Sequence, residues 1–232
     1  DVDVPDNPTL DIADAVTLEA WVKVDSTPDG WAACISKDIG NVNPWQPRNY
    51  AFHLNNSGAP YVQSSYHDGG TWRSVDSSGK GGVGSGGAWR HVAAVLDTVN
   101  DFLAIYLDGV NQSATYSGGP YNAMPTNGWN LHLGGANGDT FDFDGMLDEA
   151  RVSAVARSSN WMWATWLNTQ SNGEFCVYGA VETPAPTVNN STGATSVTKN
   201  SATLNGTLLS TGGAPTQVYV IWGTNDAAGS LG

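Results

Sequence analysis

Charge is scarce in this chain, and positive charge scarcer still. Only 13% of its 232 residues are charged, with 9 Lys plus Arg against 22 Asp plus Glu. The net charge of -13 excludes nucleic acid as a partner, because phosphates need a basic footprint. It argues equally against anionic membrane surfaces. Neutral sugars remain open, and Asp-rich loops suit hard cations. No apolar run reaches 18 residues, which excludes a transmembrane helix of ordinary length and hence membrane insertion by one. No signal peptide is visible, and the chain opens on "DVDVPD" without Met, so a mature or excised piece of a longer protein is expected.

Cysteine is nearly absent too. Cys34 and Cys176 lie far apart and fit no zinc spacing. Two readings stay open: one long-range disulfide, as in exported proteins, or a pair of buried thiols. Glutamate occurs only at 19, 149, 174 and 182. Retaining glycoside hydrolysis needs two carboxyls ~5 Å apart, and no two of these glutamates stand at strand spacing. There is no G-x-S-x-G and no Cys beside a His, so no nucleophile motif is present. His91 in "WRHVAA" reads as a buried strand histidine, and His53, His67 and His132 form no spaced ligand set.

Glycine, at 28 residues, and tryptophan, at 10, are abundant. Apolar runs bounded by Gly, Asn, Asp and Pro recur at 16–24, 31–37, 49–55, 60–66, 89–97, 102–109, 131–135 and 145–153. Such runs read as strands. Asp108-Gly109 between apolar flanks predicts a type I′ hairpin turn. Many strands with Gly-rich turns predict an all-β sandwich or barrel. One segment breaks the pattern. "SSNWMWATWLNT" (158–169) opens on capping serines and places Met162, Trp163, Trp166 and Leu167 on one face. It predicts a helix packed on the outside of the sheets.

Beyond "EFCVYG" (174–179) the composition turns to Pro, Thr and Asn. Residues 181–187 read as a linker, and 188–232 as a second β unit in which "SATLNGTLLSTGG" and "TQVYVIWGT" form a hairpin. About 45 residues is roughly half of an immunoglobulin-like sandwich of ~100 residues, so this unit is expected to be partial.

"VTLEAWVKV", "WRHVAAVLD", "FLAIYLDGV", "LHLGGANG" and "FDGMLDEARVSAVARS" together resemble the laminin-G-like jelly roll of the concanavalin A-like lectin/glucanase superfamily, over residues 1 to 180. "ATLNGTLLSTGGAP" resembles the opening of a fibronectin type III-like domain. The first resemblance implies two antiparallel sheets packed face to face in an extracellular module that binds glycans or proteins, sometimes with calcium. It also implies that "DVDVPD" is the middle of the family's first segment, with an N-terminal strand missing or cut short.

The acid pair Asp148-Glu149 sits in the middle of the run 145–153. Strand side chains alternate faces, so Asp148 shares a face with Ala150 and Val152. If those two face the core, the carboxylate must be hydrogen-bonded, paired or metal-bound. One account has it accepting backbone N–H bonds from the chain's opening segment. The other, implied by the resemblance, has it ligating calcium with Asp139, Asp142 and Asp144 nearby.

Sugar binding needs aromatic faces on exposed rims beside amides and charges. The candidates are Trp45 with Asn43, Gln46 and Arg48 in a Pro-stiffened loop, Trp72 beside Arg73, and Tyr116 and Tyr121 flanking "SGGP". Trp21, Trp89 and Trp129 read as core. The reading is a secreted or cell-surface, non-catalytic glycan-binding module. The alternative is an adhesive module that contacts another surface protein, and a glycan-active enzyme using aspartates comes third.

Overall fold

A computed structural model describes residues 1–26, 30–38, 48–55, 60–67, 70–84, 86–136, 141–176, 179 and 184–220. The chain divides into two compact units, Asp1–Val177 and Tyr178–Gly232. In chain order the first unit contains β1 (Val2–Val4), β2 (Ala15–Val24), β3 (Trp31–Lys37), β4 (Arg48–Asn55), β5 (Tyr61–His67) and β6 (Trp72–Asp76). There follow β7 (Arg90–Asp97), β8 (Phe102–Leu107), β9 (Val110–Asn111), β10 (Thr115–Tyr116), β11 (Leu131–Leu133) and β12 (Gly145–Ser153). Helices α1 (Ser159–Gln170) and α2 (Asn172–Phe175) close the unit.

All pairings are antiparallel. They build a seven-stranded sheet, β1-β11-β3-β4-β5-β6-β10, and a five-stranded sheet, β12-β2-β7-β8-β9. Val16, Leu18, Ala20, Val22 and Val24 of β2 enter the core between the sheets, where they join Tyr50, Phe52 and Leu54 of β4. This is the predicted jelly-roll sandwich. Val2–Val4 forms a strand that pairs with β11.

The Asp108-Gly109 turn has both residues at positive φ, 49° and 75°, as a type I′ turn requires. A Cβ on Gly109 would stand 2.9 Å from the Trp163 Cα, so the glycine also lets α1 lie directly on the hairpin. Ser158 caps α1 by accepting the Trp161 N–H. Met162 packs on Ala93, Val95, Ala104 and Tyr106 of the five-stranded sheet's outer face. The predicted stripe is narrower than expected. Met162 and Leu167 are buried, but Trp163 is exposed. Trp89 and Trp129 are also exposed rather than core.

The Asp148 question resolves against an inward carboxylate. Opposite β2, Asp148 pairs with Trp21 and Arg151 with Glu19, with a register shift between them. Glu149 and Ala150 thus oppose Ala20 alone, a bulge, with Glu149 at φ 52°. The extra residue flips the alternation. Leu147 and Val152 both pack on the core, although one number is odd and the other even. Asp148 points to solvent. Its Oδ1 accepts the Glu149 N–H at 2.8 Å, not a bond from the chain's opening segment.

Cys34 and Cys176 are both free. Cys34 lies in the core between the sheets, whereas Cys176 is half-buried at the C-cap of α2. The expected pair is neither joined nor wholly buried. Cys34 is fully buried in the core, while Cys176 keeps part of its surface in water. Burial pushes the Cys34 thiol well above its ordinary range, so it stays protonated and unreactive.

The described part of the second unit holds β13 (Thr187–Asn189), β14 (Ala194–Thr195), β15 (Thr203–Leu204) and β16 (Thr207–Ser210). β13 pairs with β16 and β14 with β15. The first arm of the expected hairpin differs: β15 and β16 take separate partners. Of its second arm, residues 217–220 form no strand, and 221–224 lie outside the described residues. Val188, Leu204, Leu208 and Leu209 are exposed.

Candidate functional site

Alternation along β3 to β6 puts a mixed polar and aromatic set on the outer face of the seven-stranded sheet. Trp31 lies opposite Asn55, His53 opposite Gln63, and Ser65 opposite Ser74. A register shift in β4 between Arg48 and Ala51 brings Arg48 onto the same face. These strands enclose a groove of about 370 Å³ lined by Trp31, Arg48, His53, Gln63, Ser65, Trp72 and Phe141. Its two tryptophans are 37% and 41% exposed, which leaves indole surface free at both ends.

The groove's polar groups are held in place. Arg48 Nη1 donates to Ser65 Oγ at 3.2 Å. Arg48 Nε stands 2.5 Å from Asp38 Oδ2, and the guanidinium lies 4.7 Å from the centre of the Trp72 ring. Stacking and ion pairing together fix a planar cation. His53 meets Trp31 and Phe141 edge-on, each at 5.7 Å. Burial, and then the Arg48 charge, push His53 well below its ordinary 6.5. It is therefore neutral at pH 7.

That shift has a sign. The unfolded chain takes up a proton below about pH 6.5 where the folded chain does not, so stability falls as pH drops from 6.5 toward the depressed folded value. His53→Gln is expected to flatten the loss of urea midpoint between pH 7 and pH 5. An unchanged slope in the variant would contradict the assignment.

The described sequence candidates do not all meet in this groove. Arg48 and Trp72 come together in it. Asn43, Trp45, Gln46 and Asp139 lie outside the described residues. Arg73, next to Trp72, takes the opposite face of β6. Its guanidinium lies 5.9 Å from the Tyr121 ring and donates to Gly118 O. Tyr121 is half-buried against the core, and burial raises its phenol pKa. Tyr116 is exposed on the edge strand β10. Arg73, Tyr116 and Tyr121 are thus not part of the groove. Trp31, His53, Gln63, Ser65 and Phe141 are the members sequence reasoning did not assign. The signal for three of them was the phase shared by His53, Gln63 and Ser65, which becomes useful only once the outer face is known.

The described residues do not fit a shared calcium ion at Asp148. Asp142, Asp144 and Asp148 are all exposed. Four residues of strand separate the last two by about 13 Å, whereas calcium ligands stand about 2.3–2.6 Å from the ion. Asp144 Oδ2 also accepts from Ser26 Oγ. No group of three metal-ligating side chains occurs among the described residues. Asp148→Asn is expected to change unfolding free energy by under ~0.5 kcal/mol, and EDTA to change the melting temperature of both forms equally. A chelator effect lost in the variant would restore the calcium account.

Among solved structures, a candidate carbohydrate-binding protein from Bacteroides ovatus is similar at TM-score 0.51 and 19% identity, over 69% of this chain but only 43% of its own. The CBM40 of Ruminococcus gnavus IT-sialidase bound to α2,3-sialyllactose is similar at TM-score 0.52 and 18% identity, over 68% and 84%. The same CBM40 with α2,6-sialyllactose gives 0.50 and 19%, over 67% and 85%. These likenesses show the fold. No curated protein matches the chain. The Laminin_G_3 model, described as the concanavalin A-like lectin/glucanases superfamily, matches residues 1–162, and the chain belongs to that family.

Proposed function

We propose that the first unit is a non-catalytic carbohydrate-binding module that takes an uncharged glycan across the outer face of its seven-stranded sheet. The observation that carries this reading is the pair of half-exposed indoles, Trp31 and Trp72, set at a floor of guanidinium, amide and hydroxyl groups. Indole faces stack on the C–H faces of sugar rings, and the floor supplies donors and acceptors that fix orientation. An uncharged ligand fits because Arg48 is already offset by Asp38, and a chain of net charge -13 repels polyanions. One fold relative, the CBM40, holds a sialyllactose in each of two structures, which supports the scaffold's capacity for an oligosaccharide; the uncharged class rests on this chain's own charges. Among the described residues no carboxylate lines the groove, and glycoside hydrolysis needs two. In this reading the module works at the cell surface or in secreted form, as one part of a larger protein whose neighbouring unit begins a fibronectin type III-like domain.

A glycan array followed by calorimetry tests it. Neutral oligosaccharides are expected to bind, and Trp31→Ala and Trp72→Ala each to weaken binding about ten-fold or more, as loss of an aromatic anchor does. Binding unchanged in both variants, or binding only to other proteins, would favour the adhesive alternative.

A further inference from the structure

The opposite face of the sandwich carries a second cavity, between α1 and the outer face of the five-stranded sheet. It has a volume of about 450 Å³, and its lining includes Glu19, Arg151, Arg157, Trp161, Asn168 and Phe175. Among the described residues Glu19 is its one acidic lining residue. It sits on β2, on the face away from the core, with its side chain 2% exposed. Such a carboxylate ordinarily accepts several strong hydrogen bonds. Here Oε2 accepts one long bond, 3.4 Å from Trp161 Nε1. Oε1 has no hydrogen bond among the described residues, and His91 Nε2 stands 3.5 Å away. Arg157 stacks 4.1 Å from the Trp161 ring centre, and its Nε also lacks a hydrogen-bond partner among the described residues. Arg151 is paired with Glu149.

We infer that this cavity is a second ligand site, for a single uncharged sugar ring. The charges decide the class. Glu19 opposes an anion, the two guanidinium groups oppose a cation, and Glu19 with Arg157 sum to zero. A neutral ligand that both donates and accepts suits them. Its hydroxyls donate to the under-bonded Glu19 carboxylate and accept from the guanidinium groups, which makes both sets of bonds charge-assisted. The ring's apolar face lies against Trp161 and Phe175, each 42% exposed. Aromatic walls with a few convergent polar groups are the usual build of such a site. The inference does not rest on the groove, which faces the other way.

The test is NMR of the full chain with 15N-labelled tryptophan, titrated with methyl β-D-galactopyranoside, methyl β-D-glucopyranoside and methyl α-D-mannopyranoside in turn. A saturable shift of the Trp161 indole N–H signal is expected with at least one. Glu19→Gln is expected to weaken it about ten-fold, the loss of one charge-assisted bond. Asn168→Trp fills the cavity from an exposed helix position and is expected to abolish it. It keeps the test valid should Glu19→Gln fail to fold. The Trp31→Ala/Trp72→Ala variant is expected to retain the Trp161 shift whether or not the groove binds glycan. No shift with any of the three sugars overturns the inference. So does a shift that survives Asn168→Trp, or one that vanishes in the groove variant.

Discussion

Lys37→Met is expected to lower the stability of the first unit by about 1–3 kcal/mol, from carbonyl acceptors left unsatisfied and from an ion pair whose carboxylates, on Asp6 and Asp11, keep part of their surface in water. The Lys37 side chain is fully buried at the end of β3. Its ammonium donates to Asp6 Oδ1 at 2.7 Å, to Asn127 O at 2.9 Å and to Trp129 O at 2.8 Å. Asp11 Oδ1 stands 3.3 Å away. One cation thus ties the segment after β1, the segment before β11, and β3 itself. Methionine keeps the stem but leaves the Asp6 carboxylate and two carbonyls without their donor and Asp11 without its counter-charge. Urea unfolding at pH 7 reads the effect as a lower midpoint at unchanged slope. A double-mutant cycle with Asp6→Asn is expected to show coupling of about 0.5–3 kcal/mol. A loss under ~1 kcal/mol would mean that water replaces the lysine readily and that this knot does not hold the N-terminal segment.

Gly145→Ala is expected to cost about 3 kcal/mol or more. Gly145 opens β12 opposite Val24. A Cβ there would stand 2.1 Å from the Lys23 carbonyl oxygen and 2.9 Å from the Phe143 ring. The first neighbour is backbone, so β12 would have to move off β2, a strain at the upper end of overpacking penalties. For a unit of this size that is a fall in melting temperature of about 6–12 °C. Gly173→Ala is the control, because nothing lies within 4 Å of its added Cβ. Equal melting temperatures for the two variants would show that the β2–β12 contact is looser than described.

Both effects concern residues whose surroundings are distant in sequence, and the same separates what was legible from what was not. Alternating or continuous apolar runs placed β2, β3, β4, β5, β7, β8 and β12 to within a few residues, because a strand with one face in a core repeats every two positions and one covered on both faces is apolar throughout. The Asp-Gly hairpin and the Ser-capped helix were legible for the same local reason: backbone geometry and capping involve only neighbours in the chain. Short edge strands such as β9 and β10, two residues each, carry no period and were missed.

The sandwich class, the acidic surface and the absence of a paired-glutamate motif are properties of composition and local pattern, so the amino-acid order alone was enough for them. The identity of the groove was not. His53 and Gln63 become partners because β4 and β5 pair in one register, and a shift of a single residue exchanges every outward side chain for an inward one. The bulge at Glu149–Ala150 shows this for Asp148. One extra residue turned an expected core carboxylate into a solvent-facing one, and no run of residues in that strand announces it, because the bulge exists only against its partner β2. Glu19 was likewise an isolated acid in sequence. It became buried only when α1, some 140 residues later, covered the outer face of the sheet.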